Sequence, residues 1–418
     1  MEFLFILFAG NTAIYGGEFV LRFSYIVTSL YTTFNYSTSQ FYFINSRLLA
    51  MTNVDWANLG GLPLSLVLEK LEVQTDYVRF GVVCKNWLSI AKLNHKNHQF
   101  RINVLPMLMI LSKGMKISLC NIPSFHQFSI FGQKEYPIPL SHPSIIKSKT
   151  CLGCSHGWLA LVDNNNAITL VNPFKSSIAP ISLPPLESRS LEKVTLSDDP
   201  ITSPSDYVVA VIYNFSSLAF KRPSQSFWIR VNTNEFSFTG VVFYKGLIFA
   251  DNTDTIVSFK LNNPSSDDSF DPNFAYYEKM ASTPIWFPEQ YYYGRAYFVK
   301  SLTGDIWMMR RFLTGKNLIR PYVFKLELDA QSGKLEQMNK LESLEDNILF
   351  VGSVGDSISV PASAFSKLEK DSIYVVNGGL EIDIYIYNMK DGSVQRPPSV
   401  LSNNWMQHFW VLPQLQWD

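Results

Sequence analysis

Short β-type segments recur along most of this sequence, and their recurrence limits the possible folds more than any other feature. The segments are rich in valine, isoleucine and aromatic residues and are separated by turn residues; Gly157–Val162 and Ala167–Val171, for example, flank Asp163–Asn166. Further units of this kind begin near residues 208, 247, 296, 348 and 382. Units of a few strands repeated about every 40–50 residues are typical of a β-propeller. Residues 105–415 therefore predict a mainly β, kelch-like propeller of six or seven blades, with a β-sandwich as the alternative.

Charge and cysteine content limit the classes of partner and the compartment. Lys and Arg number 35, and so do Asp and Glu, so the chain has no net charge with which to attract nucleic acid or an anionic membrane. Aromatic residues make up 14% of the 418 residues and charged residues only 17%, which favours a β-rich body. Four cysteines are too few for a disulfide framework in so long a chain. We therefore expect a reducing compartment inside the cell, either the nucleus or the cytoplasm.

Residues 1–50 do not resemble the segments that follow. Phe3–Ala9 is apolar, but Glu2 stands where a secretory signal needs a positive charge. Phe23–Ser46 carries no charge and is long enough to span a bilayer, yet half of its residues are Ser, Thr, Asn or Gln. We interpret residues 1–50 as a dispensable extension, with Met51 as the start of the folded region. A membrane anchor or a targeting segment is the alternative.

Residues 55–100 predict a small helical unit. Pro63 follows the Gly60-Gly61 pair and suits the first turn of a helix. Three helices are predicted from apolar residues at helical spacing: Leu64, Val67, Leu68 and Leu71 in the first, Tyr77, Phe80 and Cys84 in the second, and Val83, Trp87 and Ala91 in the third. Roughly 45 residues rarely form a self-sufficient core, so the surplus apolar surface predicts a docking module. A helical subdomain that caps the next domain is the alternative.

This helical unit resembles the F-box of plant F-box proteins. The resemblance lies in the order Leu62-Pro63, Leu66, Leu71, Tyr77-Val78-Arg79-Phe80 and Val83-Cys84-Lys85-Asn86-Trp87. Gly81 is a departure, because a glycine within a helix weakens it by about 1 kcal/mol relative to alanine. The resemblance implies binding to the Skp-type adaptor of a cullin ubiquitin ligase. It assigns adaptor contacts to Leu62, Pro63, Leu66, Leu71, Val83, Cys84 and Trp87.

The β-rich region is similar to the KIB-type propeller that follows the F-box in many plant proteins. The matching segments, in order, are Gly153–Leu159, Asn172-Pro173-Phe174, Tyr297–Lys300, Gly304-Asp305-Ile306, Asn347–Gly352, Asp371–Tyr374 and Trp410–Pro413. Cys154 departs from the family, which usually has serine or another small residue there. The resemblance implies a propeller that presents a loop face to a target protein.

The sequence contains no arrangement that predicts catalysis or a cofactor. Cys151, Cys154 and His156 invite a zinc interpretation, but a structural zinc site needs four ligands and normally a second Cys/His pair. We therefore expect these cysteines to be buried at the start of a strand. Ser155 lies next to His156 in sequence, which does not give a nucleophile and its base hydrogen-bonding geometry. We expect a non-catalytic protein, and a propeller enzyme with an active site built from distant loops is the alternative.

The function that these observations predict is the substrate-recognition subunit of a Skp–cullin–F-box ubiquitin ligase. A propeller scaffold or inhibitor outside any ligase is the alternative. Three polar insertions are candidates for binding the target: Leu183–Pro204, Leu261–Glu278 and Gln331–Asn347. Nearby aromatic residues, Trp286 and Tyr292, are further candidates, although packing between blades is the favoured explanation for them.

Overall fold

The computed structural model describes residues 58–69, 80–81, 83–96, 105–111, 117–120, 135–138, 145, 149–175, 178–231, 237–262, 276–285, 292–314, 318–365, 368–377, 383–396 and 407–412. The chain divides into two compact units. One comprises Met1–Leu105 with Trp417–Asp418, and the other comprises Pro106–Gln416.

The first unit contains two helices among its described residues, α1 (Gly61–Glu69) and α2 (Lys85–Lys96). The first predicted helix is confirmed, and Leu64, Val67 and Leu68 on its apolar stripe are buried. Leu71, the last residue of that stripe, lies outside the described residues.

The third predicted helix corresponds to α2 and packs through Trp87 and Ala91, which are buried. The ring of Phe80 lies 4.5 Å from the ring of Trp87, centre to centre. Of the middle predicted helix, only Phe80 and Gly81 are described, and both are helical; its predicted start at Thr75 lies outside the described residues.

The second unit is built from β-strands. In chain order they are β1 Met107–Leu111, β2 Ile117–Cys120, β3 Glu135–Ile138, β4 Thr150–Ser155, β5 Trp158–Val162, β6 Ile168–Val171, β7 Ile181–Ser182, β8 Leu191–Leu196, β9 Val209–Tyr213, β10 Ser217–Lys221, β11 Ile229–Arg230, β12 Gly240–Tyr244, β13 Leu247–Asp251, β14 Thr255–Leu261, β15 Tyr277–Pro284, β16 Tyr292–Lys300, β17 Ile306–Thr314, β18 Leu318–Leu328, β19 Leu335–Lys340, β20 Asn347–Gly352, β21 Ile358–Pro361, β22 Ser372–Asn377, β23 Asp383–Asn388, β24 Val394–Gln395 and β25 Gln407–Val411. A short 3-10 helix, Ala362–Ala364, follows β21.

The described strands form a mainly β propeller, which confirms the predicted fold class. Four blades are consecutive antiparallel sheets: blade 1 is β4–β7, blade 2 is β8–β11, blade 3 is β12–β15 and blade 4 is β16–β19. A fifth four-stranded sheet, the closing blade, combines β25 with β1, β2 and β3. The remaining sheet has five strands in the order β21-β20-β22-β23-β24, and β20 pairs with β22 in parallel. We call it the irregular sheet.

The prediction of six or seven similar blades is therefore wrong, since only five of the described sheets have the regular four-stranded form. The blade number predicted from the sequence treated the units beginning near residues 348 and 382 as separate blades. The hairpin β20–β21 and the hairpin β23–β24 instead belong to one sheet, joined through β22. The individual hairpins are confirmed, because β5–β6, β12–β13, β13–β14 and β16–β17 all pair as the turn residues predicted.

The closing blade joins the two ends of the propeller. Met107 of β1 pairs with Val411 of β25, so the first strand of the unit lies beside its last. The Gln407 side chain then ties this blade to blade 1: its amide oxygen accepts from the Cys151 backbone N–H at 2.7 Å, and its amide nitrogen donates to the Cys151 carbonyl at 3.0 Å. One side chain thus replaces a short stretch of strand pairing.

Apolar side chains fill the spaces between neighbouring sheets, because both faces of most inner strands are covered. Trp158 and Val194 belong to the cluster between blades 1 and 2, and Phe249 and Met308 to the cluster between blades 3 and 4. The blades approach closely where Gly153 lies, since a Cβ there would be 2.0 Å from the Val194 carbonyl oxygen.

A buried ion pair crosses from blade 3 to blade 4. Asp251 ends β13 and Arg310 lies in β17, and their side chains are 0% and 1% exposed. The guanidinium donates to both carboxylate oxygens, and the Thr239 hydroxyl donates to the same carboxylate.

Candidate functional site

The predicted adaptor contacts lie on the helical unit, where the structure exposes some and buries others. Leu62 is 75% exposed at the start of α1, and Pro63 beside it is also exposed. The turn is fixed locally, since the Asn86 side-chain amide donates to the Leu59 carbonyl at 2.9 Å. A leucine held on the surface by such a turn has the geometry of a docking contact.

The remaining predicted contacts are less accessible. Leu66, Val83 and Cys84 are half-buried, and Trp87 is buried against Phe80. Trp87 therefore stabilises the packing of α2 and does not offer its ring to a partner. Leu71 lies outside the described residues. None of these positions has been tested for adaptor binding, so the assignment stays a prediction.

The Cys151, Cys154 and His156 group is a structural part of blade 1. Both cysteines are buried in β4, as the sequence predicted, and burial raises the pKa of the Cys151 thiol to about 12 and that of the Cys154 thiol well above its usual range. His156 is exposed at φ 52°, and Gly157 follows at φ 81°. These angles suit a two-residue hairpin turn between β4 and β5, which explains the His-Gly pair. No group of metal-ligating side chains occurs within the described part of the chain.

Charged residues from several sheets meet near the inner strands, and the sequence did not predict this. Lys193 of β8 is 9% exposed, and burial lowers its pKa, an effect that Asp356 opposes and Arg295 reinforces. Burial raises the pKa of Asp356, against the opposing effects of Lys193, His156 and a hydrogen bond from Ser155. The Arg295 guanidinium donates to the backbone carbonyl that precedes Lys193, at 3.3 Å. This cluster links blades 1, 2 and 4 with the turn that precedes β21.

A groove between blades 3 and 4 has a volume of about 400 Å³. Tyr244, Lys325 and four acidic residues line it, among them Asp305 and Asp329. The Lys325 ammonium lies 3.0 Å from the Asp305 carboxylate, so the one lysine in the lining is already paired. The hydrogen bond from Lys325 is the main reason why the pKa of Asp305 is lowered.

Two of the three predicted target-binding insertions need correction. Leu183–Pro204 contains β8, the inner strand of blade 2, and Gln331–Asn347 contains β19, the outer strand of blade 4. Both regions are therefore partly blade: polar residues of β19 lie at exposed positions, whereas Lys193 and Thr195 of β8 are buried. Most of Leu261–Glu278 lies outside the described residues.

The two aromatic candidates also remain untested. Trp286 lies outside the described residues. Tyr292 begins β16, and its side chain is not among those described.

Sequence reasoning missed one exposed aromatic side chain. Phe215 is 81% exposed at the tip of the β9–β10 hairpin and has a φ of 68°. Asn214 immediately before it was the available signal, since Asn favours such turns.

Within the described residues, no helix is both long and apolar enough to cross a membrane.

These features define the class: a closed β-propeller preceded in the chain by a small helical unit with an exposed Leu-Pro turn. Residues 125–393, more than half of the chain, match the model of the KIB1-4 beta-propeller. The chain therefore belongs to the KIB1-4 β-propeller family, which confirms the propeller part of the resemblance found in the sequence.

Comparisons with curated proteins and with solved structures add less information about the family. No curated protein matches significantly. Among solved structures, the complex of S. cerevisiae Dbp5 with Nup159, Gle1, IP6 and ADP contains a chain 12% identical; the alignment covers 72% of this chain and 86% of that chain, with a TM-score of 0.32. For Kluyveromyces lactis Hsv2 the identity is 10%, the coverage 56% and 70%, and the TM-score 0.32. The family assignment does not depend on either.

Proposed function

We propose that this protein is the substrate-recognition subunit of a Skp–cullin–F-box ubiquitin ligase. In this proposal, residues 55–100 form an F-box that docks on the Skp-type adaptor, and the propeller binds the protein to be ubiquitinated. Catalysis belongs to other subunits and to the ubiquitin-conjugating enzyme. The protein acts in the nucleus or the cytoplasm, like the plant F-box proteins that its sequence resembles.

The observation that carries the proposal is the exposed Leu62-Pro63 turn. A leucine that is 75% exposed loses its contact with water only when a partner covers it. The neighbouring apolar stripe of α1 packs inside the helical unit, since Leu64, Val67 and Leu68 are buried, so these residues are not available to a partner. The exposed pair is therefore available for a partner without unfolding the helix that carries it.

The test is adaptor binding by the full chain with Leu62→Ala and Pro63→Ala combined. Removing hot-spot contacts costs about 2 kcal/mol or more, which is roughly a thirtyfold loss of affinity. Leu93→Ala is the matched control, because Leu93 is also exposed, at 53%, but lies outside the F-box pattern. Wild-type affinity in the double variant would show that the Leu-Pro turn is not the docking site.

The propeller's part is tested separately by ubiquitination. Purified adaptor and cullin should co-purify with the full chain, and a target bound by the propeller should be ubiquitinated only when Leu62 and Pro63 are intact. If the propeller binds a partner while neither adaptor nor cullin is recovered, the protein is a scaffold or an inhibitor outside any ligase. A chain that starts at Met51 should bind the adaptor as well as the full chain does, as the interpretation of residues 1–50 requires.

A further inference from the structure

The tip of the β9–β10 hairpin holds an aromatic side chain in an unfavourable backbone conformation. Asn214 and Phe215 both have positive φ, 49° and 68°. Asn214 and Phe215 are the central residues of a β-turn closed by the bond from the Ser216 N–H to the Tyr213 carbonyl, and positive φ at both positions favours Asn followed by Gly, because a Cβ at the second position crowds the backbone. Phe215 therefore occupies a position that glycine would fill with less strain, and its ring is 81% exposed. Strained residues of this kind occur preferentially where function requires them.

The hairpin tip is nevertheless held firmly. The Asn214 backbone N–H donates to the Ser190 carbonyl at 3.0 Å, and the Asn214 side-chain oxygen accepts from the Arg189 backbone N–H at 2.8 Å. On the other side, Ser216 accepts from the Phe238 N–H at 2.8 Å. The segments before and after the hairpin both fix the turn, so Phe215 is presented from a preorganised backbone. Preorganisation lowers the entropy lost on binding.

Two arginines lie close to the hairpin: the Arg189 backbone bonds the Asn214 side chain, and the Arg230 guanidinium lies 6.0 Å from the centre of the Tyr213 ring. Arg189 is exposed in the loop that leads into β8, and Arg230 is 48% exposed at the end of β11. Among the described residues, Arg230 has an acidic partner in Glu187, which is 94% exposed, with a carboxylate oxygen 3.8 Å from the Arg230 guanidinium. The patch of Phe215, Arg189, Arg230 and Glu187 has a net positive charge. Aromatic and arginine side chains are the types most enriched at protein-binding hot spots.

The patch lies on one face of the propeller. The β9–β10 turn and the loop before β8 occupy the same end of the strands, because Leu191 pairs with Tyr213. The chain enters the propeller beside the end of β25, since Met107 of β1 pairs with Val411.

We propose that Phe215, with Arg189 and Arg230, is the anchor through which the propeller binds its target protein. The partner is a protein surface with an apolar pocket for the ring and carboxylates beside the pocket for the two guanidinium groups. The role of the partner as a ubiquitination target rests on the proposed function, whereas the binding surface itself does not depend on that function. A protein fits better than an anionic membrane, because the patch has only one aromatic residue and its most exposed member is the acidic Glu187.

The experiment uses the full chain with p-benzoylphenylalanine in place of Phe215, photo-activated in cells with the proteasome blocked. The same group at Leu302 is the matched control, since Leu302 is 46% exposed in the turn between β16 and β17, in a different blade. A protein cross-linked from position 215 and not from position 302 is identified, purified and titrated against the unmodified full chain.

The proposal requires three results with that purified protein. Phe215→Gly weakens its binding at least tenfold while the melting temperature stays equal or rises, because glycine relieves the positive-φ strain. Arg189→Glu combined with Arg230→Glu weakens binding by a similar factor, with a smaller loss at high salt. Leu302→Ala leaves binding unchanged.

Two outcomes overturn the proposal. One is equal affinity of Phe215→Gly and the unmodified chain, or the absence of any cross-link selective for position 215. The other is Phe215-dependent binding to phosphatidylserine–phosphatidylcholine vesicles without a protein partner, which assigns the patch to a membrane. Adaptor binding is measured in parallel. If the unmodified chain does not bind the adaptor, the proposed ligase function is refuted. A partner whose binding depends on Phe215 still supports the proposed binding surface in that case.

Discussion

Arg310→Met should strongly destabilise the propeller. Asp251 and Arg310 are 0% and 1% exposed, so their charges have been removed from water almost completely. Replacing the arginine leaves a buried carboxylate with the Thr239 hydroxyl as its remaining described partner. Breaking a buried ion pair by removing one member typically costs about 3–5 kcal/mol.

The expected change in melting temperature follows from the size of the unit. At about 2.1 cal/mol/K per residue, a unit of roughly 300 residues unfolds with an entropy near 0.6 kcal/mol/K. A loss of 3–5 kcal/mol then lowers the melting temperature by about 5–8 °C. Scanning calorimetry of the full chain measures this, with the β-rich transition followed by near-ultraviolet circular dichroism.

Lys325→Met is the matched control. Lys325 and Asp305 also join neighbouring elements through an ion pair, but both side chains are more than a third exposed. A solvent-exposed pair contributes about 0–1 kcal/mol, so the melting temperature should fall by less than about 2 °C.

A double replacement separates the charge from the packing. Asp251→Leu combined with Arg310→Met removes both charges, and an apolar pair of similar volume is often as stable as the ion pair it replaces. We expect the double variant to regain at least half of the loss. The reasoning is refuted if Arg310→Met melts no lower than Lys325→Met, because the buried carboxylate would then cost nothing.

Four further predictions concern the closure of the propeller, the close approach of blades 1 and 2, and the buried thiols. Gln407→Leu removes two hydrogen bonds to Cys151 and should cost about 2 kcal/mol or more, measured by urea unfolding. Gly153→Ala places a Cβ within 2.0 Å of a backbone oxygen in the next blade and should prevent a native melting transition, whereas alanine at a glycine in open space should not. Cys151 and Cys154 should resist alkylation at pH 8 until the protein unfolds, while the half-buried Cys84 reacts. Since the folded thiols have raised pKa values, stability should fall as the pH rises above about 9, where the unfolded thiols ionise first, and Cys151→Ala should flatten that fall.

Much of the β-structure could be predicted because hairpins are local. Lys245 and Gly246 both take positive φ, 47° and 81°, in a two-residue turn that the Lys-Gly pair signals directly. The turn at Asp163–Asn166 is similarly encoded within a few residues. Such signals depend on backbone preferences at single positions, and tertiary contacts do not override them here.

The assembly of the hairpins into sheets could not be predicted in the same way. The parallel pairing of β20 with β22 and the pairing of β1 with β25 depend on contacts between distant parts of the chain. Turn residues carry no information about such contacts, so the irregular sheet was counted as two blades.

The candidate sites show the same difference between features encoded locally and features that depend on distant contacts. Exposure of Leu62 and Pro63 agrees with a local Pro-initiated helix start, which the sequence shows. The cluster around Lys193 and Asp356 joins residues from several sheets, and no sequence spacing reveals it. Phe215 was missed because it lies between the predicted β-segments, and its exposure and positive φ appear only in the structure.

The closing blade also affects how the protein is made. Strand β1 is the first propeller strand to leave the ribosome, but its partner β25 is synthesised about 300 residues later. At about 5–20 residues per second, the edge of β1 lacks its partner for roughly 15–60 s. An unpaired strand edge with residues as apolar as Met107–Leu111 favours pairing with other chains during that interval. The newly made propeller is therefore a natural client for chaperones that cover exposed strands, and its yield in cells should depend on them more than the stability of the closed ring implies.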